Sequence, residues 1–177
     1  GLEPIIRALP LLPKRVRLWV IGDNVDVIPA SHFTGLVKTL GLGERVLFWG
    51  HQKDLLRFYQ AADAFVFPTL YEAFAMVSIE SVACGLPLLA TRANGTEDLL
   101  VPGKNGVFIE RTGASIAAAV KKWILPPAKR KLLARGAVAS AKPYTWAQIT
   151  RRHLAVCEAV LGDKALPDVG IAGWSSR

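Results

Sequence analysis

Cysteine and histidine are too scarce in this chain to build a site of their own. Cys84 and Cys157 stand far apart in predicted helices, which is no disulfide framework and fits a reducing compartment. His32, His51 and His153 are dispersed, without the short spacing that puts two imidazoles on one metal. No apolar run reaches the roughly 18–20 residues of a membrane span. No basic stretch leading into an apolar block follows Gly1, so no signal peptide is read and a cytoplasmic location is expected. Enzyme signatures are missing as well. Gly22 stands alone after its strand, with no Gly-x-Gly-x-x-Gly for a dinucleotide, and neither a P-loop nor a Gly-x-Ser-x-Gly elbow occurs.

What is present is enough apolar material for one good core. Of 177 residues, 51% are hydrophobic and 20% charged, which argues for one folded domain and against disorder. The net charge is +8, and its basic clusters fall in the last third: Lys121-Lys122, Lys129-Arg130-Lys131 with Arg135, and Arg151-Arg152. A solvated helix face is the plain reading. Attraction to an anionic membrane surface or an acidic acceptor is the functional one. Nucleic acid is not expected, because no basic patch is interleaved with aromatics.

Short apolar runs alternate with helical periodicity. Strands are predicted over Val16–Ile21, Arg45–Trp49, Ala64–Phe67, Leu86–Ala90 and Val107–Ile109. Helices are predicted over Glu3–Leu12, from an N-cap at Ser31 to Leu40, and over Gln52–Ala62 with Leu55, Leu56 and Tyr59 on one side. Further helices follow from about Phe74, near Thr96–Leu100, and over Ala114–Leu125, Lys129–Ala141 and Trp146–Leu161. This order implies an α/β fold: a doubly wound, Rossmann-like parallel sheet of about six strands with helices on both faces. Residues 1–161 form the domain, and residues 162–177, which lack periodicity, a flexible tail.

The densest chemistry lies at Tyr71-Glu72-Ala73-Phe74-Ala75-Met76-Val77-Ser78-Ile79-Glu80. A buried strand ending at Pro68 precedes it, and Gly85 stops the helix that carries Glu80. A helix N-terminus just beyond the carboxyl end of a parallel strand is where open α/β sheets bind anionic ligands. Two carboxylates there can accept from hydroxyls, while backbone amides can hold a phosphate. A nucleotide sugar carries both groups. Phe74, Met76 and Ile79, at near-helical spacing, read as core residues, Gly85 as a helix stop and Pro87 as the turn into the next strand.

Glu72-x7-Glu80, the Gly85-x-Pro87 turn and Asn94-Gly95-Thr96-Glu97 resemble the donor-binding, C-terminal half of retaining glycosyltransferases of the GT-B type, nearest to family 4 (glycosyl transferases group 1). The resemblance runs from about Gly1 to Leu161 and is most specific over Ala61 to Gly106. It implies that Glu80 accepts from the ribose hydroxyls and that Glu72 meets the transferred hexose and orients its anomeric carbon, as the catalytic residue. Ala73, Phe74, Ala75, Met76 and Val77 would supply amides to sugar and phosphate oxygens. The family usually has glycine at the position of Ala75, and a β-carbon there narrows the approach of ligand to backbone. Asn94 to Glu97 would close the far side of the pocket, with a helix-capping role for Thr96 as the alternative. An acceptor-binding N-terminal domain, and an upstream arginine and lysine for the diphosphate, would lie outside this chain.

The nucleotide base is expected near Gly22, Gly50, His51 and Gln52, although for His51 an ordinary loop histidine is the favoured reading. Asp23-Asn24-Val25-Asp26 reads as a turn rich in Asp and Asn rather than as a metal pair, since its spacing is wrong for one. No metal and no cofactor is expected. The intact protein would move a hexose from a nucleotide diphosphate sugar to a glycan or lipid-linked acceptor. Other GT-B enzymes, such as sucrose- or starch-type synthases, stay open. So does a degenerate, non-catalytic module of the same fold that binds a nucleotide sugar or a protein.

Overall fold

The computed structural model describes residues 1–22 and 30–162. Asp23 to Asp26, and all of the predicted tail except Gly162, lie outside the described residues. Among the described residues five strands form: β1 (Leu18–Val20), β2 (Val46–Phe48), β3 (Phe65–Phe67), β4 (Leu88–Ala90) and β5 (Gly106–Phe108). Eight α-helices accompany them there: α1 (Leu2–Ala8), α2 (Ala30–Thr39), α3 (Leu56–Ala61), α4 (Met76–Ala83), α5 (Thr96–Leu99), α6 (Gly113–Ala119), α7 (Pro127–Ala141) and α8 (Trp146–Leu161).

Every strand pairing among the described residues is parallel. β1 pairs β2, with Leu18 opposite Val46, and β4 lies between β3 and β5, with Leu89 opposite Val66 and Val107. Where about six strands in one sheet were expected, five are found among the described residues, in two separate ladders. Local apolar runs announce strands but not their partners, which is why the division was not foreseen.

β4 shows why the fold needs helices on both faces. Leu88, Leu89 and Ala90 are all fully buried. Leu89 joins Ala8 of α1, Ile116 of α6 and Leu133 of α7. Leu88 and Ala90 point the other way, into Val82 of α4, Leu99 of α5 and Ala137 of α7. A strand buried on both faces has no polar alternation to keep, so it reads as a continuous apolar run. The β1–β2 ladder packs one face on Ile6, Leu9, Phe33 and Val37 of α1 and α2 and the segment after α1. On the other, Trp19 meets Phe58 of α3 edge-on, ring centroids 6.1 Å apart.

Several boundaries move for local reasons. The first helix gives way after Ala8 to a 3-10 turn over Leu9–Leu11, because Pro10 has no N–H to continue an α-helical ladder. Ser31 lies inside α2 rather than capping it. α3 starts four residues late: Asp54 Oδ1 takes the Leu56 N–H at 3.2 Å, and Leu55 becomes the N-cap. Leu56 is then exposed rather than turned to the core. The helix from Ala114 splits into α6 and a π-turn over Val120–Ile124.

Other punctuation is as predicted. α4 ends in a Schellman motif, with Gly85 N–H donating to Val82 O at 3.0 Å and Leu86 N–H to Ser81 O at 3.0 Å. Gly85 has φ +83°, which a side chain would resist. Asn105 is a buried polar clamp that the sequence presented only as part of a turn. Its amide donates to Leu99 O (2.8 Å) and Ser140 Oγ (2.7 Å), and its oxygen accepts from Val101 N (2.8 Å).

Candidate functional site

Pro68 ends β3, and the chain then makes a loop before α4. Thr69 donates its hydroxyl to Tyr71 O at 2.8 Å, and the loop turns Leu70, Tyr71, Phe74 and Met76 outward. Phe74 and Met76, 42% and 44% exposed, are therefore surface residues rather than core. Only Ile79 of that trio packs inward, beside Val82 and Leu99. The reason is the late start of α4 at Met76, which leaves Phe74 in the loop and turns Met76 to solvent.

Glu72 is half-buried, and its Oε1 accepts from the Ala73 N–H at 3.1 Å. Glu80 lies four residues into α4, a rise of about 6 Å at 1.5 Å per residue. Ala75 is the N-cap, with φ −71° and ψ 67°. That φ is open to any residue, and Ala75 is only 2% exposed. The residue is therefore packed inside the protein. In the first turn, Ser78 Oγ is buried and has no hydrogen-bond partner among the described residues.

The segment Asn94 to Glu97 closes against this loop. A β-carbon at Gly95 would stand 2.8 Å from Ala75 N and 3.4 Å from the Phe74 ring. Gly95 caps α5, and Thr96 does not; its buried hydroxyl sits 2.8 Å from Thr91 O and 2.7 Å from Ala93 O, and accepts from Ala93 N at 3.0 Å. Arg92 lies over the Phe108 ring at 4.1 Å and 3.6 Å from Glu97.

The second group of predicted residues gathers at the carboxyl ends of β1 and β2. Gly22 N–H donates to Gly50 O at 2.8 Å, with φ +119° and +61° at the two glycines. Gln52 Nε2 donates to Trp49 O at 2.7 Å, and His51 is exposed. One helix connects this group to α4. Phe58 of α3 meets the Trp49 ring at 5.3 Å, and the next residue, Tyr59, donates its hydroxyl to Glu80 Oε2 at 3.1 Å. Burial holds the Tyr59 phenol above its ordinary pKa, and the Glu80 charge adds to this. The Cys84 thiol is raised by the same two causes in the same order. Sequence reading placed Tyr59 only on the packed side of a helix; no spacing could have tied it to a carboxylate 21 residues away.

Two cavities are found near these elements, the second bordered by Tyr59 itself. One of about 390 Å³ is lined by Leu2, Arg7, Phe33, Arg111 and Thr112; another of about 210 Å³ lies between Tyr59, Cys84, Arg130 and Ala134. Neither is lined by Glu72 or Glu80. Among the described residues, no group of three or more His, Cys, Asp or Glu side chains is arranged to hold a metal.

Known proteins resemble the whole of this architecture. A D-inositol 3-phosphate glycosyltransferase of Corynebacterium diphtheriae is 31% identical over 178 residues, covering 96% of this chain and 41% of the relative. The lipopolysaccharide core biosynthesis glycosyltransferase LpsE of Rhizobium meliloti is 32% identical over 76% of this chain and 38% of its own length. The chain thus spans about two fifths of these relatives. Among solved structures, Anabaena HepE in complex with UDP-glucose matches 92% of this chain and 45% of its own with a TM-score of 0.80 at 25% identity. The family described as Glycosyl transferases group 1 matches residues 1–125. With that match covering most of its length, and a parallel α/β fold shared with GT-B enzymes, the chain belongs to the glycosyl transferases of group 1.

Proposed function

We propose that this chain is the donor-binding half of a retaining glycosyltransferase, which moves a hexose from a nucleotide diphosphate sugar to a glycan or lipid-linked acceptor. The observation that carries the reading is the placement of Glu72 and Glu80 on either side of the α4 N-terminus, at the carboxyl end of β3. The donor would lie along that face, its ribose hydroxyls donating to Glu80 and its hexose hydroxyls to Glu72. Its phosphates would take amides of the stretch Ala73 to Val77, where in the free chain the Ala73 N–H is donated to Glu72 Oε1 and the Met76 N–H to Phe74 O. The base would fall toward Gly22, Gly50, His51 and Gln52, linked to Glu80 through α3. A solved relative, Anabaena HepE, forms a complex with UDP-glucose, which supports a donor of this chemical class.

Retention would follow from the family's scheme, in which the departing diphosphate helps deprotonate the acceptor on the face it leaves. The protein's part is then electrostatic stabilisation of that diphosphate. The acceptor would be bound by a further N-terminal domain. No divalent metal would be required, so activity of the full-length enzyme should survive chelation.

The basic residues of the last third would favour the anionic inner face of a membrane, placing a cytoplasmic protein peripherally. Lys121, Lys122, Lys129, Lys131 and Arg135 are exposed, whereas Arg130 is turned to Asp63 at 3.4 Å. Sedimentation with anionic vesicles should be salt-sensitive; no binding at low salt would make these charges a solvated face.

The direct test is a thermal-shift screen of this chain against nucleoside diphosphates and nucleotide sugars. Stabilisation by at least one of them, with no transfer of sugar by this chain alone, is the expected outcome. A chain that responds to none would overturn the reading.

A further inference from the structure

We propose that the Tyr59 hydroxyl positions Glu80 for the nucleotide: it holds one carboxylate oxygen from α3, so that the other is presented to the ribose hydroxyls. This rests on the reading of Glu80 given above.

Glu80 is exposed on α4, where a three-torsion side chain samples many rotamers and loses that freedom when a ligand fixes it. A neighbour that already holds it lowers the cost of binding. Tyr59 is suited to that task because it is itself fixed. Its ring is half-buried and packs edge-on against Phe65 of β3, centroids 5.9 Å apart at 76°. Phe65 in turn stacks on Phe67 at 5.8 Å. The hydroxyl reaches Glu80 Oε2 at 3.1 Å. A carboxylate has two oxygens and about four acceptor sites, so a phenol on one leaves the other free to accept.

The bond also keeps one polarity. Burial, with the Glu80 charge behind it, holds the phenol protonated, so Tyr59 donates throughout the physiological range and Glu80 remains the acceptor. Because Phe58 meets Trp49 beside the glycine pair, α3 ties the aim of the carboxylate to the loops assigned to the base. Ribose and base would then be registered by one short helix.

Calorimetry on this chain decides the matter, with UDP, GDP and ADP and the 2′,3′-dideoxy form of whichever binds tightest. Tyr59→Phe keeps the ring and removes the hydroxyl; Glu80→Gln serves as the control for the ribose contact. Y59F should weaken the ribonucleotide about threefold to tenfold, as expected for one lost hydrogen bond. It should leave the affinity for the dideoxy form unchanged. Equal weakening of both forms would show that the hydroxyl acts on the fold and overturn the proposal. A Y59F chain that binds like the parent while E80Q is weakened would overturn it too, leaving the ribose role of Glu80 intact. If E80Q loses nothing, or no nucleotide binds, the reading of the site and the role of Tyr59 fall together.

Discussion

Gly95 lies directly against Ala75: a β-carbon at position 95 would stand 2.8 Å from the Ala75 amide nitrogen. With φ at +81°, the position is closed to side chains twice over, by conformation and by space. Gly95→Ala should therefore cost about 1–3 kcal/mol of stability, the usual range for a strained left-handed residue. It should also displace the Phe74–Ala75 segment that opens α4. Urea unfolding reads the first effect, and a weakened response to nucleoside diphosphates in thermal shift reads the second. A variant as stable as the parent would mean that the loop yields freely.

The two carboxylates should separate by ligand. Glu80→Gln weakens the bare nucleoside diphosphate as much as the nucleotide sugar, because ribose is common to both. Glu72→Gln spares the bare nucleotide and weakens the sugar adduct. Hydrogen bonds to a charged group are worth about 1.5–3 kcal/mol, so affinities should fall roughly tenfold to a hundredfold. Calorimetry with both ligands on both variants is the measurement. Equal losses for the bare nucleotide would reverse the assignment of ribose and hexose.

Adjacent leucines on α7 provide a control on the core. Leu133 is fully buried among Ala8, Leu89 and Ile116, whereas Leu132 is 57% exposed. Leu133→Ala should lose about 2–5 kcal/mol through transfer and cavity terms. Leu132→Ala should stay within about 0.5 kcal/mol of the parent. Chemical denaturation of both variants settles it, and similar losses would contradict the packing described for α7.

Alkaline titration tests the environment of Tyr59. Its folded pKa is raised above the unfolded value of about 10. The stability linked to it is therefore fully present below about pH 10 and is lost as pH rises through the folded value. In ultraviolet titration of the folded protein, Tyr59→Phe should remove phenolate absorbance that appears above the ordinary tyrosine range. Glu80→Gln should bring that ionisation down only part of the way, since burial is the larger cause. A Y59F difference curve centred at the ordinary value would mean that the phenol is solvated.

Local chemistry by itself determined the order of the elements and the outline of the candidate site. Apolar runs such as Leu88-Leu89-Ala90, buried on both faces, could only be interior strands. Gly85 was a helix stop because its conformation disfavours a side chain. Glu72 and Glu80 fell on either side of a helix N-terminus because strand, loop and helix follow one another within a few residues. Tertiary structure decided what no short window contains. Parallel strands are joined only through long crossovers, so the division into two ladders and the contact of Gly22 with Gly50 depend on packing across the whole domain. The close approach of Gly95 to Ala75 is of the same kind, and the hold on Glu80 depends on a tyrosine from a different helix. These contacts join groups far apart in the chain, and only the packed core brings them within reach.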